Sequence, residues 1–140
     1  MADLTLLIKE RIILEGTERG TDYNLTLSDI EYVDNRILNV PSGSDTTIFA
    51  LANANAEGTF VTSSLKYARI SNYSTTATVN LKVSSSTEEL NFNVAAKGTF
   101  MLSTSEITGS VVDFTYDDIS SISVSPSGSN AKIEYFIATT

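Results

Sequence analysis

Apolar and polar residues alternate along most of this chain, and this two-residue period constrains the fold more than any other feature of the sequence. One face of residues 4–14, interrupted only by Glu10, carries Leu4, Leu6, Ile8, Ile12 and Leu14. Successive side chains of a strand point to opposite faces, so this spacing predicts a long strand with one buried face. A helix would need apolar residues three and four positions apart, and the charged residues 9–11 would break its apolar stripe.

Short segments rich in Gly, Pro, Ser and Asn separate the alternating runs. Gly16 and Gly20 predict a hairpin connection after the first strand, and Pro41 ends a later one because proline cannot donate to the ladder. Residues 105–121 give the weakest pattern, and Gly109–Phe114 within them reads as a loop or as one helical turn. The clearest predicted hairpin joins strands 65–70 and 77–83. The other predicted strands lie near residues 23–27, 32–40, 48–51, 90–94, 100–102, 122–124 and 133–137.

These segments amount to about eight to ten strands with turn signals every eight to twelve residues, which is typical of a β-sandwich or barrel. A chain of 140 residues has the length of one domain. The sequence therefore predicts an all-β protein with a single antiparallel β-sandwich domain over residues 1–140, jelly-roll-like or Greek-key in topology. No repeating period is visible, which disfavours a propeller or solenoid.

The composition lacks histidine, cysteine and tryptophan. The usual general base, the thiolate nucleophile and the softer metal ligands are therefore missing. No serine lies in a G-x-S-x-G elbow. We expect no catalytic residue, no cofactor and no enzymatic activity.

Two pairs of adjacent carboxylates, Glu88-Glu89 and Asp117-Asp118, are the remaining candidates for acid–base chemistry. Neighbouring residues of a strand point to opposite faces, so neither pair forms a glycosidase dyad by itself. Asp113, Asp117 and Asp118 could instead gather around calcium or be solvated turn carboxylates. Their spacing matches no calcium-loop motif, so we predict no metal site.

The chain has nine Lys and Arg against 17 Asp and Glu, a net charge of -8. An acidic surface repels phosphate backbones and anionic lipid, so neither nucleic acid nor a membrane is an expected partner. This charge either keeps the protein soluble or docks on a basic partner. The apolar run Leu6–Ile8 is too short for a signal peptide or a membrane span.

Six tyrosines could line a sugar or protein surface. Tyr67 and Tyr135 sit among apolar neighbours and are expected to be buried, which leaves Tyr73, at a predicted turn, as the best exposed candidate. The apolar strand Leu4–Ile8 would invite aggregation as a free edge. Either a strand of the same chain or a neighbouring subunit in a homo-oligomer should cover it.

The order of segments resembles small all-β structural proteins from the virions of tailed bacteriophages, marine phages and cyanophages in particular. The Arg69-Ile70-Ser71-Asn72 strand, the turn before Phe100 and the final pair of strands carry the resemblance. The matching segments are Leu6–Glu10, Leu25–Ile30, Arg36–Pro41, Tyr67–Ser74, Val94–Leu102, Ile119–Ile122 and Ile133–Ala138.

The resemblance implies a non-enzymatic structural role in the virion, which is assembled in the host cytoplasm, and it transfers no catalytic residue. Capsid decoration or cement protein, head–tail or collar component, and tail accessory protein are all compatible with it. The implied partners are other virion proteins, capsid or tail, and further copies of the chain in a homo-oligomer. The alternative is a carbohydrate-binding or receptor-binding adhesin module whose exposed tyrosines contact glycans.

Overall fold

The computed structural model describes residues 1–52, 59–61, 64–103, 106–108, 113–115 and 119–140. Every regular element in these ranges is a strand, so the all-β prediction is confirmed. The chain divides into two compact units: residues 1–31, here the ribbon unit, and residues 32–140, here the sheet unit. That the whole chain is one domain stays a prediction.

The ribbon unit is a long antiparallel hairpin. Its strands are β1 (Ala2–Lys9), β2 (Ile12–Leu14), β3 (Thr17–Arg19) and β4 (Asp22–Ile30). β1 pairs with β4 and β2 with β3 in one continuous register, from Leu4 opposite Leu27 to Leu14 opposite Thr17. The turn at Glu15-Gly16 has positive φ at both residues (51° and 76°), as a two-residue hairpin turn of matching twist requires. The hairpin predicted here is confirmed, although the predicted single strand 4–14 is split at residues 10–11.

The sheet unit holds the remaining strands. They are β5 (Tyr32–Val40), β6 (Thr46–Ala52), β7 (Thr59–Val61), β8 (Leu65–Asn72), β9 (Thr78–Ser84), β10 (Glu89–Val94), β11 (Thr99–Leu102), β12 (Glu106–Thr108), β13 (Asp113–Thr115), β14 (Ser121–Ser127) and β15 (Ala131–Thr139). One sheet has the order β10-β9-β14-β6-β7, with only the β6–β7 pair parallel. The other is antiparallel with the order β11-β8-β15-β5.

Four antiparallel pairs are nested along this unit: β5 with β15, β6 with β14, β8 with β11, and β9 with β10. The two sheets share one hydrophobic core, to which β9 and β14 contribute on one side and β8 and β15 on the other. Fully buried members of that core include Leu81, Ile122, Ile70, Ile133 and Ile137. Phe92 of β10 and Phe100 of β11 stack at a centroid distance of 5.2 Å. Because β10 and β11 are edge strands, this contact joins one edge of each sheet. The arrangement is sandwich-like.

The predicted hairpin between residues 65–70 and 77–83 is wrong. β8 and β9 belong to different sheets, because β8 pairs with β11 and β15 while β9 pairs with β10 and β14. The five residues between them form an arch across the core. The buried side chain of Asn72 holds that arch by donating to the carbonyl of Ala77 (2.8 Å) and accepting from the backbone N–H of Ser74 (3.0 Å).

Three further differences from the sequence-based expectations concern short elements. The described residues contain fifteen strands rather than about eight to ten. The ribbon is interrupted at residues 10–11 and 20–21, and the short strands β7, β12 and β13 add to the count. Within 105–121, β12 and β13 pair as strands, and residues 109–112 of the predicted loop or helical turn lie outside the described residues. The sequence also predicts that Pro126 opens a turn at residues 126–129, but Pro126 lies in β14, which β6 accompanies only as far as Val124.

Candidate interaction surfaces

The carboxylates singled out in the sequence form no reaction centre among the residues that the structure describes. Glu88 and Glu89 are both exposed, and Glu89 accepts from the amide of Asn91 (3.0 Å). The calcium alternative depends on Asp113, Asp117 and Asp118. Asp117 and Asp118 lie outside the described residues, and so does the side chain of Asp113. No group of three or more His, Cys, Asp or Glu that could hold a metal ion occurs in the described part.

The tyrosines divide into buried and exposed groups. Tyr67 and Tyr135 are buried as predicted, at 3% and 2% exposure, and burial raises the pKa of the Tyr67 phenol. Tyr23, Tyr32 and Tyr73 are exposed, at 55%, 49% and 46%. Tyr73 is thus not the most exposed of them, since Tyr23 and Tyr32 are both more exposed. Tyr116 lies outside the described residues.

A polar cluster occupies the face of the four-stranded sheet opposite the core. Arg69 of β8 donates to the Oε1 atom of Glu134 on β15 (3.0 Å), and the Tyr73 hydroxyl donates to Glu134 Oε2. Arg69 also donates to the Ser71 hydroxyl (2.9 Å), which hydrogen-bonds to Thr99 of β11 (3.1 Å). The cluster therefore links three strands through side chains alone.

The hydrogen bonds of this cluster shift the pKa values of Glu134 and Tyr73 in opposite directions. Hydrogen bonds from Tyr73 first, and from Arg69 second, hold the pKa of Glu134 below its ordinary value. The same bond to a carboxylate raises the pKa of Tyr73, because ionising the phenol would place two negative charges together. Ionisation of the Tyr73 phenol is therefore disfavoured while it donates to Glu134.

The outer face of the five-stranded sheet is covered by small polar side chains. In register, β10, β9 and β14 contribute the rows Asn91–Lys82–Ser123 and Asn93–Asn80–Ser125. Asn80 donates to the Asn93 side chain (3.3 Å), and Lys82 lies 3.9 Å from Glu89. This flat hydroxyl and amide face has few charges and needs no second layer.

The ribbon unit has one apolar face. Cross-strand pairs Leu4–Leu27, Leu6–Leu25 and Ile8–Tyr23 lie on it, and strand alternation places Ile12 and Leu14 on the same side. Tyr23, Ile12 and Leu14 are exposed at 55%, 58% and 49%, and the others are half-buried. We call these eight side chains the apolar face of the ribbon.

The opposite side, the charged face of the ribbon, is neutralised internally. Arg11 contacts Asp22 (2.9 Å) and Glu18 (3.2 Å), and these carboxylates lie opposite Lys9 and Ile13. The guanidinium of Arg11, which lies between β1 and β2, thus joins β3 and β4 on a single side. This bridge also shows that the alternation of faces continues past residues 10–11 to the tip.

Sequence reasoning missed the Arg69–Glu134–Tyr73 cluster and the role of Asn72. The only signal in the sequence is alternation, since Arg69 and Ser71 alternate with the apolar residues Ala68 and Ile70, which face the core. The cross-strand partner Glu134 lies 65 positions further along the chain, so the grouping depends on the pairing of β8 with β15.

Comparison with protein-family models, curated proteins and solved structures gave no match to this chain. The described part of the chain contains no helix long and apolar enough to cross a membrane.

Proposed function

We propose that the protein is a non-enzymatic structural component of a tailed-phage virion, such as a capsid decoration or cement protein or a head–tail, collar or tail accessory protein. It acts through symmetric contacts with capsid or tail proteins and with copies of itself. It is localised to the virion and assembled in the host cytoplasm, with neither nucleic acid nor membrane as a partner.

The order of eight strands is the single observation that carries this proposal. The nested pairs β5–β15, β6–β14, β8–β11 and β9–β10, folded into layers β10-β9-β14-β6 and β11-β8-β15-β5, follow the winding of a jelly roll. We therefore assign the finer topology as a jelly-roll sandwich. Jelly rolls recur in viral capsid proteins and in lectins. The fold supports both classes by analogy alone. The resemblance in segment order to phage virion proteins supports the first of the two.

The surfaces agree with a role in rigid presentation. The core side chains are buried, and the described carboxylates form no group that could hold a metal ion. The exposed apolar side chains lie mostly on the ribbon and on β5. Large exposed apolar patches on a soluble chain mark protein–protein contacts.

Counting copies in purified particles tests the proposal. Quantitative mass spectrometry on virions of the phage that encodes the chain should find it in fixed stoichiometry to the major capsid protein. Roughly hundreds of copies would indicate a shell component, and about six or twelve a neck or tail ring. Absence from washed particles would overturn the proposal.

The second candidate, a carbohydrate-binding or receptor-binding adhesin module, is favoured by one specific observation. Tyr73 presents its ring beside Glu134 and Arg69, and sugars are held by an aromatic face together with charged hydrogen-bonding groups. A glycan screen by thermal shift would decide. Stabilisation that is lost in Tyr73→Leu and kept in Tyr23→Leu supports the adhesin, and no stabilisation by any glycan excludes it.

A further inference from the structure

The apolar face of the ribbon has no second layer within its own unit. Two strands cannot bury a face of eight apolar side chains between them, and an isolated two-stranded hairpin is marginal in water. The hairpin nevertheless keeps one register from Leu4 to Leu14, about 35 Å at the rise of an extended strand. A second layer is therefore the missing part of this element.

We propose that this second layer is the apolar face of the ribbon from a second copy of the chain. The inference deepens the proposed function, on which it rests, because it identifies the contact by which copies associate. It is a face-to-face contact and does not add a strand at an edge.

The area is sufficient for such a contact. About half of the surface of Ile12, Leu14 and Tyr23 is exposed, and their five neighbours on this face are half-buried. The accessible apolar surface of the face is therefore on the order of 500 Å² per copy. Two such faces would remove roughly 1,000 Å² from water, which is where specific protein–protein interfaces begin.

The charges favour a second copy as the occupant. The chain carries a net charge of -8, so two copies repel each other over most of their surface. On the apolar face the charged residues are one acid, Glu10, and one base, Arg19, which lies opposite Ile12. The face thus has no net charge and is complementary to itself, as a two-fold interface requires. A basic partner would be attracted to the acidic surface elsewhere.

Leu6 and Leu7 provide a matched pair of variants, because they are adjacent leucines on opposite faces. Leu6 lies opposite Leu25 on the apolar face, and Leu7 lies opposite Asn24 at 63% exposure. Sedimentation equilibrium of the full chain should show a reversible dimer or higher oligomer. Leu6→Asn should raise its dissociation constant at least tenfold, and Leu7→Asn should leave it within about twofold. Added salt should strengthen the wild-type association, because it screens the repulsion between acidic chains.

Cross-linking tests the same contact without Leu6→Asn, whose effect could also come from impaired folding. The natural chain has no cysteine, so Tyr23→Cys on the apolar face and Asn24→Cys on the charged face each give a unique thiol. A short bismaleimide should link Tyr23→Cys copies and not Asn24→Cys copies.

A wild-type protein that is monomeric, with no cross-linking at position 23, overturns the inference. Oligomers that tolerate Leu6→Asn and cross-link equally from both faces also overturn it, but leave the virion assignment standing. The assignment fails separately, if the chain is absent from particles.

Discussion

The side-chain amide of Asn72, the last residue of β8, donates a hydrogen bond to the backbone carbonyl of Ala95, 3.2 Å away and just beyond β10. β8 and β10 belong to different sheets. The same amide reaches the carbonyl of Val94 (3.2 Å), and the backbone N–H of Asn72 donates to Gly98 (2.9 Å). A single buried side chain thus ties the β8–β9 arch to the β10–β11 connection, where the chain twice passes between the layers.

Replacing Asn72 by Asp should strongly destabilise the sheet unit. The substitution keeps the shape but turns the buried donor, at 1% exposure, into a carboxylate that faces the carbonyls of Ala77, Val94 and Ala95. We expect a loss of roughly 2–4 kcal/mol in the free energy of unfolding, measured by urea denaturation. Asn39→Asp, exposed on β5 opposite Lys132, is the control and should change it by less than about 0.5 kcal/mol. Equal effects of the two changes would contradict the role given to Asn72.

Thr139 and Thr140 should respond to valine with opposite signs. The Thr139 hydroxyl is fully buried and has no hydrogen-bond partner in the described part of the structure. The Thr140 hydroxyl accepts from the backbone N–H of Ser64 at 3.1 Å. Thr139→Val should raise the free energy of unfolding by about 1 kcal/mol, because it removes an unsatisfied polar atom at constant shape.

Thr140→Val should lower the free energy of unfolding by about the same amount, because the Ser64 N–H loses its acceptor. Parallel urea curves for the two variants measure the difference directly. Destabilisation by both changes would show that the Thr139 hydroxyl has a partner.

The Tyr73–Glu134 bond should be visible in the pH dependence of stability. The pKa of Glu134 is lowered in the folded protein, so its contribution is complete above the ordinary value of 4.5 and is lost as the pH falls through the folded value. The advantage of wild type over Glu134→Gln in urea should therefore shrink below pH 4.5. The pKa of Tyr73 is raised above 10.0, so its contribution is complete below that pH and is lost at higher pH.

Carboxyl NMR titration provides the direct measurement for this pair. Tyr73→Phe removes the first cause of the shift, and the pKa of Glu134 should then rise toward its ordinary value. Arg69 remains in place and should keep part of the shift. An unchanged Glu134 titration in Tyr73→Phe would mean that the phenol does not hold the carboxylate in solution.

Local sequence predicted where strands lie better than which strands pair. The period of two, together with Pro41, gave β5 as residues 32–40, and Ile133, Tyr135 and Ile137 all face the core as their alternation requires. The pairing of β8 could not be predicted in this way. Five residues between two strands permit either a hairpin or an arch, and bonds from Asn72 to carbonyls 22 and 23 positions away favour the arch.

The candidate surfaces were predictable to the extent that they depend on neighbours in sequence. Alternation alone placed Leu4, Leu6 and Ile8 on one apolar side and raised the question of what covers it. Bringing Arg69 to Glu134, or Arg11 to both Asp22 and Glu18, depends on register, which no local pattern specifies before the partner strand is known.

Gly20 is the position at which the ribbon should be most sensitive to substitution. Its φ of +138° is unfavourable for an L side chain, and a Cβ there would overlap the backbone carbonyl of Glu10. Gly16, in the turn, also has a positive φ (+76°), but a Cβ there meets open space. Gly16→Ala should therefore show only the left-handed strain, about 1 kcal/mol, whereas Gly20→Ala must also move the opposite strand.

Amide hydrogen exchange should separate these two glycines, because it reports local opening in each unit. Exchange at Leu6 and Leu25 should be accelerated far more by Gly20→Ala than by Gly16→Ala, while the amides of β8 and β15 keep their protection in both variants. If amide exchange is accelerated only in the ribbon, the ribbon opens independently of the sheet unit. A second layer from another copy would then slow exchange in the ribbon as the protein concentration rises. Equal acceleration in the two variants would contradict the close approach of Gly20 to Glu10.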